Sequence, residues 1–271
     1  MPISLPAPTA KLFIDGDYTD GSGSHRFDIT SPATGEFVAS LPVPVVADLD
    51  RAVAAAGRAQ REWRKVGVAK RAEICHRIGD VLAEHVEELA LLQTLEQGKP
   101  LTESRADINE AVQLFHLHAE DALRLTGETI PSSDPQKRMH TWRQAVGTWA
   151  IITPWNFPLL MFTEFAAPGL ATGNALVVKP PTHTSLTVLK AMEYLVEAGL
   201  PDGLVNVLPG EGDFGSQLVA HPGIHAIGFI GSSATGARIQ ATAGLKRSVM
   251  ECSGNGPLVV LDAANLLRAA K

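Results

Sequence analysis

The 271-residue sequence predicts an α/β fold, an open five-stranded parallel sheet with helices on both faces, preceded by an amino-terminal helical region. Two observations carry this. From residue 144 onward, short apolar runs alternate with helical patterns, and each connection is long enough to be the helix that a parallel pair requires. Before residue 144, three long segments place apolar residues at the helical period.

The elements follow in order. Lys11-Leu12-Phe13-Ile14 is strand-like, and turn-like Asp15-Gly16 and Ser22-Gly23 mark hairpins packed at an edge. Leu49, Val53, Ala56 and Trp63 define a first helical face. Ile74, Ile78, Val81, Leu82 and Leu89 define a second, and Ile108, Val112, Phe115 and Ala119 a third. The strands of the sheet are then Val146 to Ile152, Ala175 to Lys179, Val205 to Leu208, Ala226 to Ile230 and Ser248 to Glu251. Helices fall at Leu159 to Thr172, Ser185 to Ala198, Phe214 to Ala220 and Ser233 to Gly244. The implied segments are 1–134, an amino-terminal region; 135–150, a hairpin; 151–254, the sheet core; and 255–271, a carboxy-terminal segment.

Composition narrows the function classes. The chain is 45% hydrophobic and 19% charged, enough to bury a substantial core. Its net charge of −6, without basic clusters, offers no footprint for nucleic acid or an anionic membrane. Met1 to Ala10 has neither a basic region nor an apolar block, and prolines interrupt the apolar stretch from Val146 to Val178, so neither secretion nor membrane spanning is expected. Cys75 and Cys252 lie far apart without ligand spacing, which suits a reducing, cytoplasmic setting, and no metal site is expected among nine scattered histidines.

Four segments carry candidate chemistry. In Thr153-Pro154-Trp155-Asn156-Phe157-Pro158 the prolines stiffen the backbone, so the Asn156 carboxamide can hold an N–H₂ over a developing oxyanion; the alternative is an Asn in a Pro-rich loop. Gly231-Ser232-Ser233-Ala234-Thr235-Gly236, between strand and helix, either cradles a phosphate or only N-caps the helix. Its glycine spacing departs from the standard dinucleotide fingerprint. Lys179, closing a strand before Pro180-Pro181-Thr182, is either a solvated strand end or an ammonium reaching a ribose or phosphate. Glu251, after Val249-Met250, is either a general base within a buried strand or a cap or ion-pair partner.

Together these segments resemble the aldehyde dehydrogenase superfamily from about Lys11 to the end. Leu95-Glu96-Gln97-Gly98-Lys99-Pro100, Leu170-Ala171-Thr172-Gly173-Asn174 and Leu200-Pro201-Asp202-Gly203-Leu204-Val205-Asn206-Val207-Leu208-Pro209-Gly210 add ordered matches. The resemblance implies a Rossmann-like core with the cofactor pyrophosphate by Gly231, Ser232, Thr153, Pro154 and Trp155, the adenosine ribose by Lys179 and Thr182, and the nicotinamide near Glu251. It assigns Asn156 as oxyanion donor and Glu251 as the base that activates water. The reaction it implies is NAD(P)-dependent oxidation of an aldehyde to a carboxylic acid through a cysteine thioester. Many NAD-preferring relatives carry a Glu at the position of Thr182. The Lys179-Pro180-Pro181-Thr182 form is similar to that of NADP-dependent non-phosphorylating glyceraldehyde-3-phosphate dehydrogenases, so NADP is favoured over NAD.

The departures are specific. The family nucleophile lies about thirty residues beyond the motif glutamate, outside this chain, and Cys252 does not occupy its position. A family lysine is replaced by Phe165, and the usual Glu-Leu-Gly-Gly-Lys turn reads Glu251-Cys252-Ser253-Gly254-Asn255. The expected function is the cofactor-binding part of the enzyme, inactive alone, with a non-catalytic dinucleotide-binding or interaction module as the alternative. An aldehyde is expected as substrate only when the cysteine-bearing domain is supplied. A hairpin edge carrying Trp142 and Trp149 is expected to be sticky and to support homo-oligomerisation.

Overall fold

The computed structural model describes residues 10–262 and 264–269, so the expectation for the first nine residues lies outside the described residues. Two short strands, β1 (Leu12–Ile14) and β2 (Asp17–Thr19), form a hairpin. A second hairpin follows from β3 (Arg26–Thr30) and β4 (Phe37–Pro42). Four helices come next: α1 (Val46–Trp63), α2 (Val68–Glu84), α3 (Val86–Gln97) and α4 (Leu101–Leu123). A two-residue pair, β5 (Thr129–Ile130) with β6 (Met139–His140), leads into the core.

The core alternates β7 (Thr148–Ile152), α5 (Pro158–Ala171), β8 (Ala175–Lys179), α6 (Leu186–Glu197), β9 (Val205–Val207), α7 (Gly212–Ala220), β10 (Ala226–Gly231), α8 (Ser233–Ala243) and β11 (Arg247–Cys252). The sheet has seven strands in the order β11-β10-β7-β8-β9-β1-β2. The five from β7 to β11 run parallel; β8 and β9 follow on one side of β7, and the crossover after β9 returns the chain to β10 on its other side, so the order reverses between β7 and β10. Such a switch opens a crevice at the carboxyl ends of the strands. The central strands are near-continuous apolar runs because both faces are covered; every residue of β8, including Lys179, is buried.

Four expectations are corrected. The sheet is seven-stranded rather than five-stranded because Phe13 of β1 pairs antiparallel with Val207 of β9, and Asn206 Oδ1 accepts from the Asp15 amide at 2.9 Å. The second helical pattern is two helices, since the chain turns at His85 (φ −112°, ψ 17°), which ends α2 and starts α3. Trp149 belongs to central β7 rather than to a hairpin edge, while Trp142 is 74% exposed. Strand β11 is an exposed edge in which only Met250 is half-buried, so Glu251 closes an exposed strand rather than a buried one.

Asn174 ties the start of this core together. Its Oδ1 accepts from Val146 N (2.7 Å), Gly147 N (3.1 Å) and Trp149 Nε1 (3.3 Å), and its Nδ2 donates to Gly169 O and Thr172 Oγ1. A carboxamide that is 5% exposed thereby satisfies both ends of a buried connection, as burial of polar groups requires. Trp63 of α1 likewise donates Nε1 to Leu170 O at 2.8 Å, docking α1 against the end of α5.

Candidate functional site

Lys179 ends β8 with its side chain turned inward, and the residue is 9% exposed. Its Nζ donates to Gly210 O at 2.9 Å and Pro180 O at 3.1 Å. Burial lowers its pKa to about 8, against the opposing pull of Glu211. Thr182 Oγ1 donates to the same Gly210 carbonyl at 3.1 Å. One carbonyl in the β9–α7 loop therefore fixes both the last side chain of β8 and Thr182 in the loop that follows it.

The two side chains face different clefts. Lys179 lines one of about 190 Å³ with Ile152, Gly212, Gly215, Thr235 and Arg238. Thr182 lines another of about 770 Å³ with Thr153, Pro154, Trp155, Glu96 and Glu211. The hydroxyl of Thr153 is buried without a hydrogen-bond partner among the described residues, a donor left for whatever enters.

Ser232 N-caps α8: its Oγ accepts from Thr235 N at 3.2 Å and donates to Thr235 Oγ1 at 2.9 Å. The other amides of that first turn keep the positive end of the helix open at the rim of the Lys179 cleft. Gly231 and Gly236 have tight reasons to be glycine. A Cβ on Gly231 would meet the Phe229 ring at 2.7 Å, and one on Gly236 would meet Cys252 Sγ at 2.9 Å. The Cys252 thiol thus packs onto the start of α8. Cys75 lies on the buried face of α2, and burial pushes its thiol up to about 12.

Asn156 is exposed in the turn between β7 and α5 and has no side-chain partner among the described residues. Its neighbour Phe157 is fixed: the Lys99 ammonium lies 4.0 Å over the ring centroid, and Lys99 is itself ion-paired with Asp107. Neither Asn156 nor Glu251 lines the two clefts around Lys179, whereas Thr153, Pro154, Trp155, Lys179 and Thr182 do. Ser232 touches the Lys179 cleft through Thr235, which it caps, while Gly231 lines neither cleft.

Three residues here carried no role in the sequence reading. The Glu96 carboxylate, on a residue 2% exposed, accepts from Leu186 N (2.7 Å), Thr187 N (2.9 Å) and Thr187 Oγ1 (2.5 Å), capping α6 from the end of α3. Desolvation nevertheless raises its pKa to about 7, with those bonds opposing. Gly210 acts through its carbonyl, and Arg238 brings a guanidinium with no ion pair among the described residues. The signal for Glu96 was its place on the apolar face of α3, at the helical spacing from Leu89, Leu92 and Gln93.

Among the described residues no helix is long and apolar enough to cross a membrane, and no group of three His, Cys, Asp or Glu side chains is placed to hold a metal. The chain is similar to an aldehyde dehydrogenase of Brucella melitensis (32% identity, TM-score 0.93), covering 99% of this chain and 56% of that one. It is also similar to an NADP-dependent enzyme of E. coli (34%, TM-score 0.92, 97% and 55%) and to a betaine aldehyde dehydrogenase point mutant of Staphylococcus aureus in complex with NAD⁺ (32%, TM-score 0.91, 97% and 54%). The chain spans about half the length of the solved chains it matches. The model described as Aldehyde dehydrogenase family matches residues 18–271, and the chain belongs to that family.

Proposed function

We propose that this chain is the cofactor-binding part of an NAD(P)-dependent aldehyde dehydrogenase that oxidises an aldehyde to a carboxylic acid, with its sheet core at 151–254. The observation that carries the reading is the buried Lys179 ammonium, held by two carbonyls at the carboxyl end of β8 and opening on a cleft rimmed by the capped amino end of α8. A cation kept there at neutral pH, with helix amides beside it, suits the phosphates and ribose of a dinucleotide. The orphaned Thr153 hydroxyl fits the same ligand.

Lys179, Thr182, Thr153, Pro154, Trp155, Gly231 and Ser232 would hold NAD(P)⁺, which when bound supplies a hydride acceptor. Asn156 would donate its free N–H₂ to the oxyanion, and Glu251 would take a proton from water. Thr182 in place of a carboxylate favours NADP over NAD, because a 2′-phosphate beside it meets less repulsion. Cys75 is buried with a raised pKa, and Cys252 is exposed at the end of β11 with its thiol against Gly236, so the nucleophile would come from outside this chain. That same packing of Cys252 favours a second reading, a non-catalytic dinucleotide-binding module.

Calorimetric titration of the chain with NADP⁺ and, separately, NAD⁺ tests the proposal, using a Lys179→Ala, Ser232→Ala variant as control. Saturable binding of NADP⁺ that the variant loses supports it. Folded protein that binds neither nucleotide refutes it. NADP⁺ reduction with an aldehyde, surviving Cys252→Ser, would refute the claim that the nucleophile lies elsewhere.

A further inference from the structure

The turn that carries Asn156 is held on both sides of that residue. Thr184 Oγ1 donates to Trp155 O at 3.4 Å, and the Lys99 ammonium stands 4.0 Å over the Phe157 ring centroid. Asn156 lies exposed between these two fixed points. Lys99 itself stands on a rigid base. It sits between Gly98, which ends α3 at φ 87°, and Pro100, which precedes α4, and its N–H donates to Gln97 Oε1 at 2.9 Å. A residue before proline is restricted to extended backbone, which holds Lys99 before Pro100 and Phe157 before Pro158 alike. The Lys99 side chain is ion-paired with Asp107, the two side chains being 9% and 8% exposed, and Gln93 Nε2 donates to the same Asp107 oxygen at 2.8 Å.

A buried ion pair adds little net stability, because desolvating two charges offsets most of their attraction, so its location is what calls for a reason. Here it sets one immobilised cation against one aromatic face, and an ammonium attracts a ring more strongly once it has lost its water. The ring belongs to the residue that shares a peptide bond with Asn156. We propose that Lys99 is a positioning residue for Asn156: docked on the Phe157 ring, it fixes the peptide joining residues 156 and 157 and with it the point from which the carboxamide is presented. The assignment rests on the reading of Asn156 as oxyanion donor and supplies what that role demands, a donor held in place before charge develops. Asp107 and Gln93 act one step further back, by holding the ammonium.

The test is ¹⁵N relaxation of the 271-residue chain, read at the Asn156 and Phe157 amides, with urea unfolding and NADP⁺ titration of the same proteins. Order parameters of about 0.85 are expected at both amides of the unaltered chain, and Phe157→Leu, which leaves the Lys99–Asp107 pair intact, should lower them below about 0.6. The same change should return the ring-shifted ε-methylene protons of Lys99 to ordinary values. Phe157→Tyr keeps the aromatic face and should keep the order. Lys99→Met should loosen the same two amides, and combined with Phe157→Leu it should loosen them no further than Phe157→Leu alone. Unchanged order in Phe157→Leu, whatever its urea midpoint, overturns the inference, as does loss of order in Phe157→Tyr or an additive loss in the double variant. A folded chain that binds no NADP⁺ but loosens at Asn156 in Phe157→Leu would refute the cofactor-binding reading and support the positioning.

Discussion

Replacing Lys179 by methionine should make the protein more stable while destroying the proposed cofactor site. The displacement of the ammonium from 10.5 to about 8 is caused by burial and corresponds to about 3 kcal/mol borne by the folded state whenever Lys179 is charged. Methionine fills a similar volume without that charge. It leaves Pro180 O without its donor, costing about 1 kcal/mol, whereas Gly210 O keeps Thr182 Oγ1. The net gain at pH 7 is about 2 kcal/mol, or about 4–8 °C in Tm for a domain of this size. The sign with pH follows from a folded pKa below the unfolded one. The full penalty is present below pH 8, and as pH rises from 8 toward 10.5 the unfolded chain holds the extra proton, so the unaltered protein gains stability and the penalty falls below about 1 kcal/mol by pH 10. Urea unfolding of both proteins at pH 7 and pH 10 reads the effect directly. A variant less stable at pH 7, or a difference that does not shrink with pH, would refute the claim that Lys179 is held at a cost to the fold.

Glu96 behaves in the opposite way. Its folded pKa of about 7 lies above the ordinary 4.5, so the folded state retains the proton and stability falls by about 3 kcal/mol as pH rises through that window. Glu96→Gln should flatten the urea midpoint between pH 5 and pH 7.5, and an unchanged slope would assign the dependence elsewhere. Gly228→Ala places a Cβ 2.7 Å from both the Phe165 ring and Ile151 Cδ1, and overpacking of this kind should cost about 1–3 kcal/mol. Adding Phe165→Leu should recover most of the loss in the same assay, and additive losses would show that the two residues are not coupled.

The parallel sheet was legible because its strands are apolar runs separated by helical crossovers, a pattern that only a covered sheet explains. The break at His85 was not. No Gly or Pro marks it, and the apolar residues of α2 and α3 keep one helical period across it. The pairing of β1 with β9 was equally hidden, since it joins residues 13 and 207 through a three-residue strand whose own pattern names no partner. At the site, sequence identified Lys179 and Thr182 but not what they share, because Gly210 O lies 31 residues from Lys179 and a glycine carbonyl has no signature of its own. Glu96 is the instructive case. Leu89, Leu92, Gln93 and Glu96 occupy one face of α3, and a carboxylate on a buried face must either find donors or displace its pKa. Glu96 does both, with two backbone amides, one hydroxyl and a pKa of about 7. A charged residue at an apolar-face position was therefore the readable sign that another chain segment ends there, and the segment is the start of α6, just after the loop that carries Thr182.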